Sequence, residues 1–129
     1  MRLLLDTHIW IWYLTGSSSI TSRIRIALEA EKNEVFLSPI SVWEALLLGE
    51  KGRVKFQPDP ATWIRTALER FPVIEAAVNH EIAIRSRTVD LPHPDPADRF
   101  LVATAQVYHA RLVTADRRLL RTKVVETYP

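Results

Sequence analysis

Apolar and polar positions alternate along the chain in blocks whose period changes repeatedly, and each change marks an element. Residues Arg2–Asp6 enclose Leu3-Leu4-Leu5, a continuous apolar run of the kind that forms a strand covered on both faces. Thr7 is placed to cap a short helix to about Thr15, apolar nearly all round through Ile9, Trp10, Trp12, Tyr13 and Leu14. Ser19 precedes a second helix, in which Ile20, Ile24, Ala27 and Leu28 form one stripe opposite Arg23, Arg25 and Glu29. Glu34–Leu37 predicts the second strand. Ser38-Pro39 then starts a helix, with the hydroxyl as N-cap and proline at the first helical position, ending near Gly49 to Gly52. Asp59-Pro60 repeats that start signal, and Trp63, Ile64, Ala67, Leu68 and Phe71 supply the stripe. Pro72–Ala76 is a weaker third strand, and Asn79 to about Thr88 is helical. Leu91–Pro96 holds three prolines in six residues, which predicts a stiff ordered loop. Asp95-Pro96 opens a helix to about His109, Arg111–Thr114 is a fourth strand, Asp116–Arg121 a helical turn and Lys123–Thr127 a fifth strand.

Strands alternating with helices predict an α/β fold. It is a mainly parallel sheet of four to five strands with helices on both faces, in one domain spanning residues 1–129. With 47% hydrophobic and 25% charged residues, disordered and fibrous architectures are set aside. The chain has no cysteine, which excludes thiol nucleophiles, disulfides, iron–sulfur clusters and Cys-ligated zinc, and fits a reducing cytoplasm. Asp6 interrupts the N-terminal apolar stretch too early for a signal-peptide core. The longest uncharged run, Thr7 to Ser22, is 16 residues long and too polar to span a bilayer, so no membrane partner is expected.

In parallel sheets, ligands bind at the carboxyl ends of the strands. Asp6 follows the first apolar run directly, and Asp116 follows Leu112-Val113-Thr114-Ala115, so both project from one sheet edge. Each has a bland alternative as the cap of the helix that follows it. Asp95 is the expected cap of its own helix. Asp98, three residues on, sits in the first turn of a helix running back against the sheet, where it can both favour the helix dipole and face the edge. Glu44 lies in the core-facing stripe Ile40, Trp43, Leu47, Leu48, where a carboxylate needs a partner, either an arginine or a metal ion. Four acids on one edge cannot all stay ionised without a multivalent cation. Oxygen-only ligation selects a hard ion, Mg²⁺ or Mn²⁺, the usual apparatus of phosphodiester hydrolysis. Thr7 and Thr114 are placed to orient these acids. The net charge is +2, but setting the four acids aside leaves 17 basic against 11 acidic groups, a surface suited to a polyanion.

In LLLDTHIWIW, SPISVWEALLLGEKGRVKF, LPHPDPADRFLVATA and LVTADRRL, taken in that order, the chain resembles the PIN-domain ribonucleases, in particular the VapC-type toxins of bacterial toxin–antitoxin pairs. The similarity covers essentially the whole chain. It implies a PIN fold, with Asp6, Glu44, Asp98 and Asp116 as the metal-site acids, Thr114 as their supporting hydroxyl and Asp95 as the acid before the helix. It also implies Mg²⁺- or Mn²⁺-dependent cleavage of RNA, homodimerisation and inhibition by a cognate antitoxin. Pro94 and Ala97 depart from the family pattern, where a basic and an aromatic residue are common.

Arg99, beside Asp98, is open between an RNA contact and a carboxylate partner. Arg117 and Arg118 belong to the densest basic stretch, a solvated face by default and a path for RNA phosphates by position. His93, between prolines, is a loop residue that could touch phosphate. The other histidines (His8, His80, His109) are dispersed without metal spacing. Rival readings are a noncatalytic RNA-binding or assembly module of the same fold, and a nuclease directed at DNA. Position 8, a histidine, argues against an aspartyl-phosphate phosphatase.

Overall fold

The computed structural model describes all residues from Met1 to Pro129. Five strands, β1 (Arg2–Leu5), β2 (Glu34–Leu37), β3 (Ile74–Glu75), β4 (Arg111–Val113) and β5 (Thr127–Tyr128), form one sheet in the order β3-β2-β1-β4-β5. Every neighbouring pair is parallel. Seven helices connect them: α1 (Thr7–Thr15), α2 (Ser22–Glu29), α3 (Pro39–Glu50), α4 (Pro60–Arg70), α5 (His80–Thr88), α6 (Pro96–Tyr108) and α7 (Arg117–Arg121). The single α/β domain with helices on both faces is the architecture the alternation of periods predicts.

The apolar run in β1 divides by parity. Leu3 and Leu5 enter one core with Ile9, Trp10, Leu37, Ala45 and Val113, while Leu4 enters the other with Phe36, Leu101, Val102, Leu112 and Leu119. Successive strand side chains face opposite ways, so a strand covered on both sides has no polar position to spare. All three leucines are 1% exposed or less, each contributing about 2 kcal/mol by burial.

The order of the strands fixes where a site can lie. From β1 the chain passes outward to β2 and β3, then returns to the other side of β1 for β4 and β5. The strand order therefore reverses between β1 and β4. There Leu5 is paired with Val113, and the Asp6 backbone N–H donates to the Val113 carbonyl at 2.9 Å. The residues after these two strands are consequently neighbours at the carboxyl edge.

Three local expectations are corrected. The second helix starts one turn after Ser19, because Thr21 is its cap and accepts from the Ile24 N–H at 3.2 Å. The fifth strand is not Lys123–Thr127 but Thr127–Tyr128. The Val124 carbonyl is taken by the Gln106 amide at 2.8 Å and its N–H by the Thr122 hydroxyl, so this stretch crosses α6 before it can pair with β4. Trp43 is 55% exposed and does not belong to the core stripe of α3, whose buried residues are Ser41 and Ala45. Gly49 lies within α3, and a Cβ there would stand 2.8 Å from Pro60 Cγ and 2.9 Å from Phe56 Cδ2. Its absence lets α3 and α4 approach closely.

The stiff loop before α6 is held by Arg99. Its guanidinium donates to the carbonyls of Ser86 at 2.7 Å, Leu91 at 2.5 Å, Val89 at 2.9 Å, His93 at 3.3 Å and Arg87 at 3.4 Å. A side chain so committed has no carboxylate partner, which corrects that reading of this residue, and its donors are spent on backbone carbonyls. Lysine has no planar fork to reproduce the set. Arg99→Lys is therefore expected to destabilise the fold by about 2–4 kcal/mol, since hydrogen bonds from a charged donor contribute about 1.5–3 kcal/mol each and do not add fully. Urea denaturation checks this, and an unchanged midpoint would contradict the assignment.

Candidate active site

A cavity of about 340 Å³ opens at the carboxyl edge of the sheet, lined by Asp6, Glu44, Asp95, Asp98, Asp116 and Arg118 with His8, Trp12 and Ala115. The acids come from the ends of β1 and β4, the second turn of α3 and the start of α6. Elements distant in sequence thus bring all four predicted site acids to one place.

Each acid is held differently. Asp6 occupies the cap position of α1 yet makes no side-chain cap bond there. Instead it accepts from the Thr114 hydroxyl at 2.6 Å, and Thr114 Oγ1 in turn accepts from the Asp116 N–H at 3.0 Å. One threonine thereby fixes the first acid and the turn carrying the last. Thr7 does the same for Glu44. Its hydroxyl donates to Glu44 Oε1 at 2.5 Å and lies 3.0 Å from Ser41 Oγ, which completes the chain by donating to it. Asp95 caps α6 by accepting from the Ala97 N–H at 2.9 Å while also lining the cavity. Asp116 takes the bland role as well, capping α7 by accepting from the Arg118 N–H at 2.8 Å.

The electrostatics separates these groups. Burial is the largest influence on Asp6 and raises its pKa against the opposing Thr114 hydrogen bond. Burial raises Glu44 too, with repulsion from Asp6 and Asp95 adding to it. Asp98 is pushed up to about 7 by burial and by Asp95, Asp6 and Asp116 around it. Asp116 moves the other way, because the hydrogen bond from Arg118 holds it below the usual carboxylate range. Arg118 Nη2 lies 3.1 Å from Asp116 Oδ2 and 3.5 Å from Asp98 Oδ2. Glu44 and Asp6 have no arginine or lysine partner, so the buried-pair reading of Glu44 is not what the fold builds. Their partners are hydroxyls, which position an anion without neutralising it.

This donor set suits a hard divalent ion: carboxylate oxygens only, crowded, and short of positive charge. No group of three acidic or imidazole side chains stands close enough in this arrangement to hold one ion. The acids form a cluster of donors, not a preset cage.

Arg117 is exposed at the start of α7. His8, Trp12 and Ser41 are site residues that the sequence pattern does not single out. His8 is two residues beyond Asp6, in the first turn of α1, and Ser41 lies one turn before Glu44 on the same helix face. Both positions follow from the spacing once the acids are accepted.

The PIN domain family model matches residues 3–125. Ribonuclease VapC22 of Mycobacterium tuberculosis (strain ATCC 25618 / H37Rv) is 29% identical over 118 residues, covering 91% of this chain and 88% of that protein. Among solved structures, VapBC2 from Rickettsia felis bound to a DNA fragment from their promoter superposes with a TM-score of 0.72 at 15% identity, covering 99% of this chain and 98% of that one. A toxin–antitoxin complex from Klebsiella pneumoniae gives 0.68 at 23%, covering 97% and 96%. VapBC-1 from nontypeable Haemophilus influenzae gives 0.69 at 18%, covering 99% and 97%. At these identities the solved structures establish the fold, and with a family model spanning almost the whole chain they leave one conclusion: this chain belongs to the PIN-domain family.

Proposed function

We infer that the protein is an endoribonuclease that hydrolyses RNA phosphodiester bonds with Mg²⁺ or Mn²⁺, and that it is the toxin of a toxin–antitoxin pair. The observation that carries this reading is the cavity at the β1/β4 edge, where Asp6, Glu44, Asp98 and Asp116 converge on a PIN fold. The ribonuclease name of the VapC22 relative and the toxin–antitoxin complexes among the structural neighbours support the activity class and an antitoxin partner. The resemblance extends the reading to a homodimer, and the absence of cysteine fits action in a reducing cytoplasm. No helix of the chain is long and apolar enough to cross a membrane.

Asp6, Asp98 and Asp116, with Glu44, would hold the ion. When bound it supplies a Lewis acid for the phosphate and lowers the pKa of water, the attacking group. The chain's own residues do the rest. Thr114 keeps Asp6 aimed into the cavity, Thr7 keeps Glu44 there, and the α6 cap at Asp95 fixes the backbone from which Asp98 projects. No cysteine exists and no serine lines the cavity, and the acids are assigned to the ion, so the proposed reaction is direct attack by water without a covalent enzyme intermediate.

Purified protein incubated with mixed RNAs is expected to cleave them with Mg²⁺ or Mn²⁺ and not with EDTA. Oligodeoxynucleotides of the same sequences are expected to stay intact, and their cleavage would favour a DNA-directed enzyme. Asp6→Asn and Asp98→Asn are each expected to lower kcat by roughly 10²-fold or more while the protein stays folded. Normal cleavage by these variants would overturn the site.

The raised Asp98 pKa sets a pH dependence. In the metal-free protein the folded state binds this proton more tightly than the unfolded chain. Its contribution to stability is therefore full below the ordinary value of 3.8 and lost as pH rises towards about 7. Ion binding needs the carboxylate, so protons and ions compete. The rise in Tm on adding Mg²⁺ is expected to be larger at pH 8 than at pH 6, measured by differential scanning fluorimetry. An equal rise at both values would contradict competition at Asp98.

A further inference from the structure

A second cavity, of about 430 Å³, lies against the first and is lined by Pro92, His93, Pro94, Arg118, Arg121 and Thr122. Arg118 belongs to both cavities. One guanidinium, 3.1 Å from Asp116 and 3.5 Å from Asp98, is thus part of the wall between them.

The two cavities have opposite chemistry. No acid lines the second, and its polar groups are donors. Arg121 is exposed and makes neither a salt bridge nor a side-chain hydrogen bond within the chain. The Thr122 hydroxyl oxygen already accepts from the Val124 N–H at 3.3 Å, which leaves its proton to donate. His93 is the decisive residue. It lines the cavity while being only 7% exposed, and its buried Nδ1 has no hydrogen-bond partner in the chain. A buried polar atom without a partner is rare in a folded chain and calls for a ligand or water beside it.

The wall that carries His93 is also held in place. Pro92 and Pro94 flank His93, and Arg99 binds the carbonyls of Leu91 and His93 on the far side of the loop. His93 is thereby held before an anion arrives and loses little freedom on meeting it.

We propose that His93, Arg118, Arg121 and Thr122 form a phosphate-binding subsite for single-stranded RNA, holding the phosphate next to the one presented to the acids. This rests on the nuclease reading for the identity of the strand. A strand laid with one phosphodiester over Asp6 and Asp98 crosses Arg118, and its neighbouring phosphate falls in a cavity whose side chains include two arginines and no acid. Arg118 then serves both sides, tethered to Asp116 and facing the second phosphate. A carboxylate from a protein partner could use the same donors, but the shared wall with the acid cavity favours a polyanion whose charges repeat along one chain.

The test is a binding titration of the full chain with fluorescein-labelled hexauridylate in EDTA, where no cleavage occurs. Arg121→Gln is expected to weaken binding by about 5- to 10-fold and to reduce the salt slope by about one. Arg65→Gln, on the exposed face of α4, is expected to leave both unchanged. The His93 imidazole resonances are expected to shift on adding hexauridylate to wild type and to shift less in Arg121→Gln. Equal affinity for wild type and Arg121→Gln overturns the subsite, as does a His93 shift produced at lower concentration by hexaglutamate or by inorganic phosphate. Those outcomes point to a partner carboxylate or a free-anion site. Because binding is read without the ion, loss of the subsite is separable from loss of the nuclease reading, which fails instead on absent Mg²⁺-dependent cleavage.

Discussion

Like-charged carboxylates repel, and the repulsion grows as water is withdrawn from around them. The protein nevertheless brings four of them to the edge of its sheet, and does so with hydroxyls more than with cations. Thr114 binds Asp6 and receives the Asp116 N–H, while Thr7 binds Glu44 and meets Ser41. A hydroxyl fixes where an oxyanion points and leaves most of its charge in place. The cluster therefore keeps an appetite for positive charge, visible in the raised pKa values of Asp6, Glu44 and Asp98. Everything else in the architecture serves this arrangement. Parallel pairing of β1 with β4 sets Asp6 beside Thr114, and the reversal of strand order there opens the space that α3 and α6 then overlook.

Arg118 is the one cation inside this field, and it sits on the acid that is least buried. By satisfying Asp116 and reaching Asp98 it limits the repulsion in the ion-free chain. Its position at the boundary of two cavities sets it between the acids and the neighbouring cavity of Arg121 and His93. Acids on one side and donors on the other form a polarity along which an extended polyanion has a preferred direction.

Much of this is legible along the chain because strand burial and helix starts are local signals. Leu3-Leu4-Leu5 has no polar position, which only two-sided burial explains, and Ser38-Pro39, Asp59-Pro60 and Asp95-Pro96 each begin a helix at the expected place. Asp6 and Asp116 are legible for the same reason, since an acid just after a buried parallel strand has to sit at the carboxyl edge, while Glu44 and Asp98 are read from their places on α3 and α6. What escapes is decided by contacts between distant segments. Nothing near Arg99 in the chain reveals that the carbonyls of Ser86, Val89 and Leu91 will surround it. The displacement of β5 depends on Gln106 reaching Val124 across 18 positions. Trp43 follows the helical period of its neighbours and is exposed all the same, lining a surface cavity with Glu44, His8 and Asp95.

The central claim, that the half-buried acids form a receptor for a divalent ion, is tested most directly by anomalous diffraction from crystals soaked in Mn²⁺ at pH 8. An anomalous peak between Asp6, Asp98 and Asp116, with Arg118 displaced from Asp98, is the expected result. A map without such a peak, in which Arg118 still bridges Asp98 and Asp116, would contradict it.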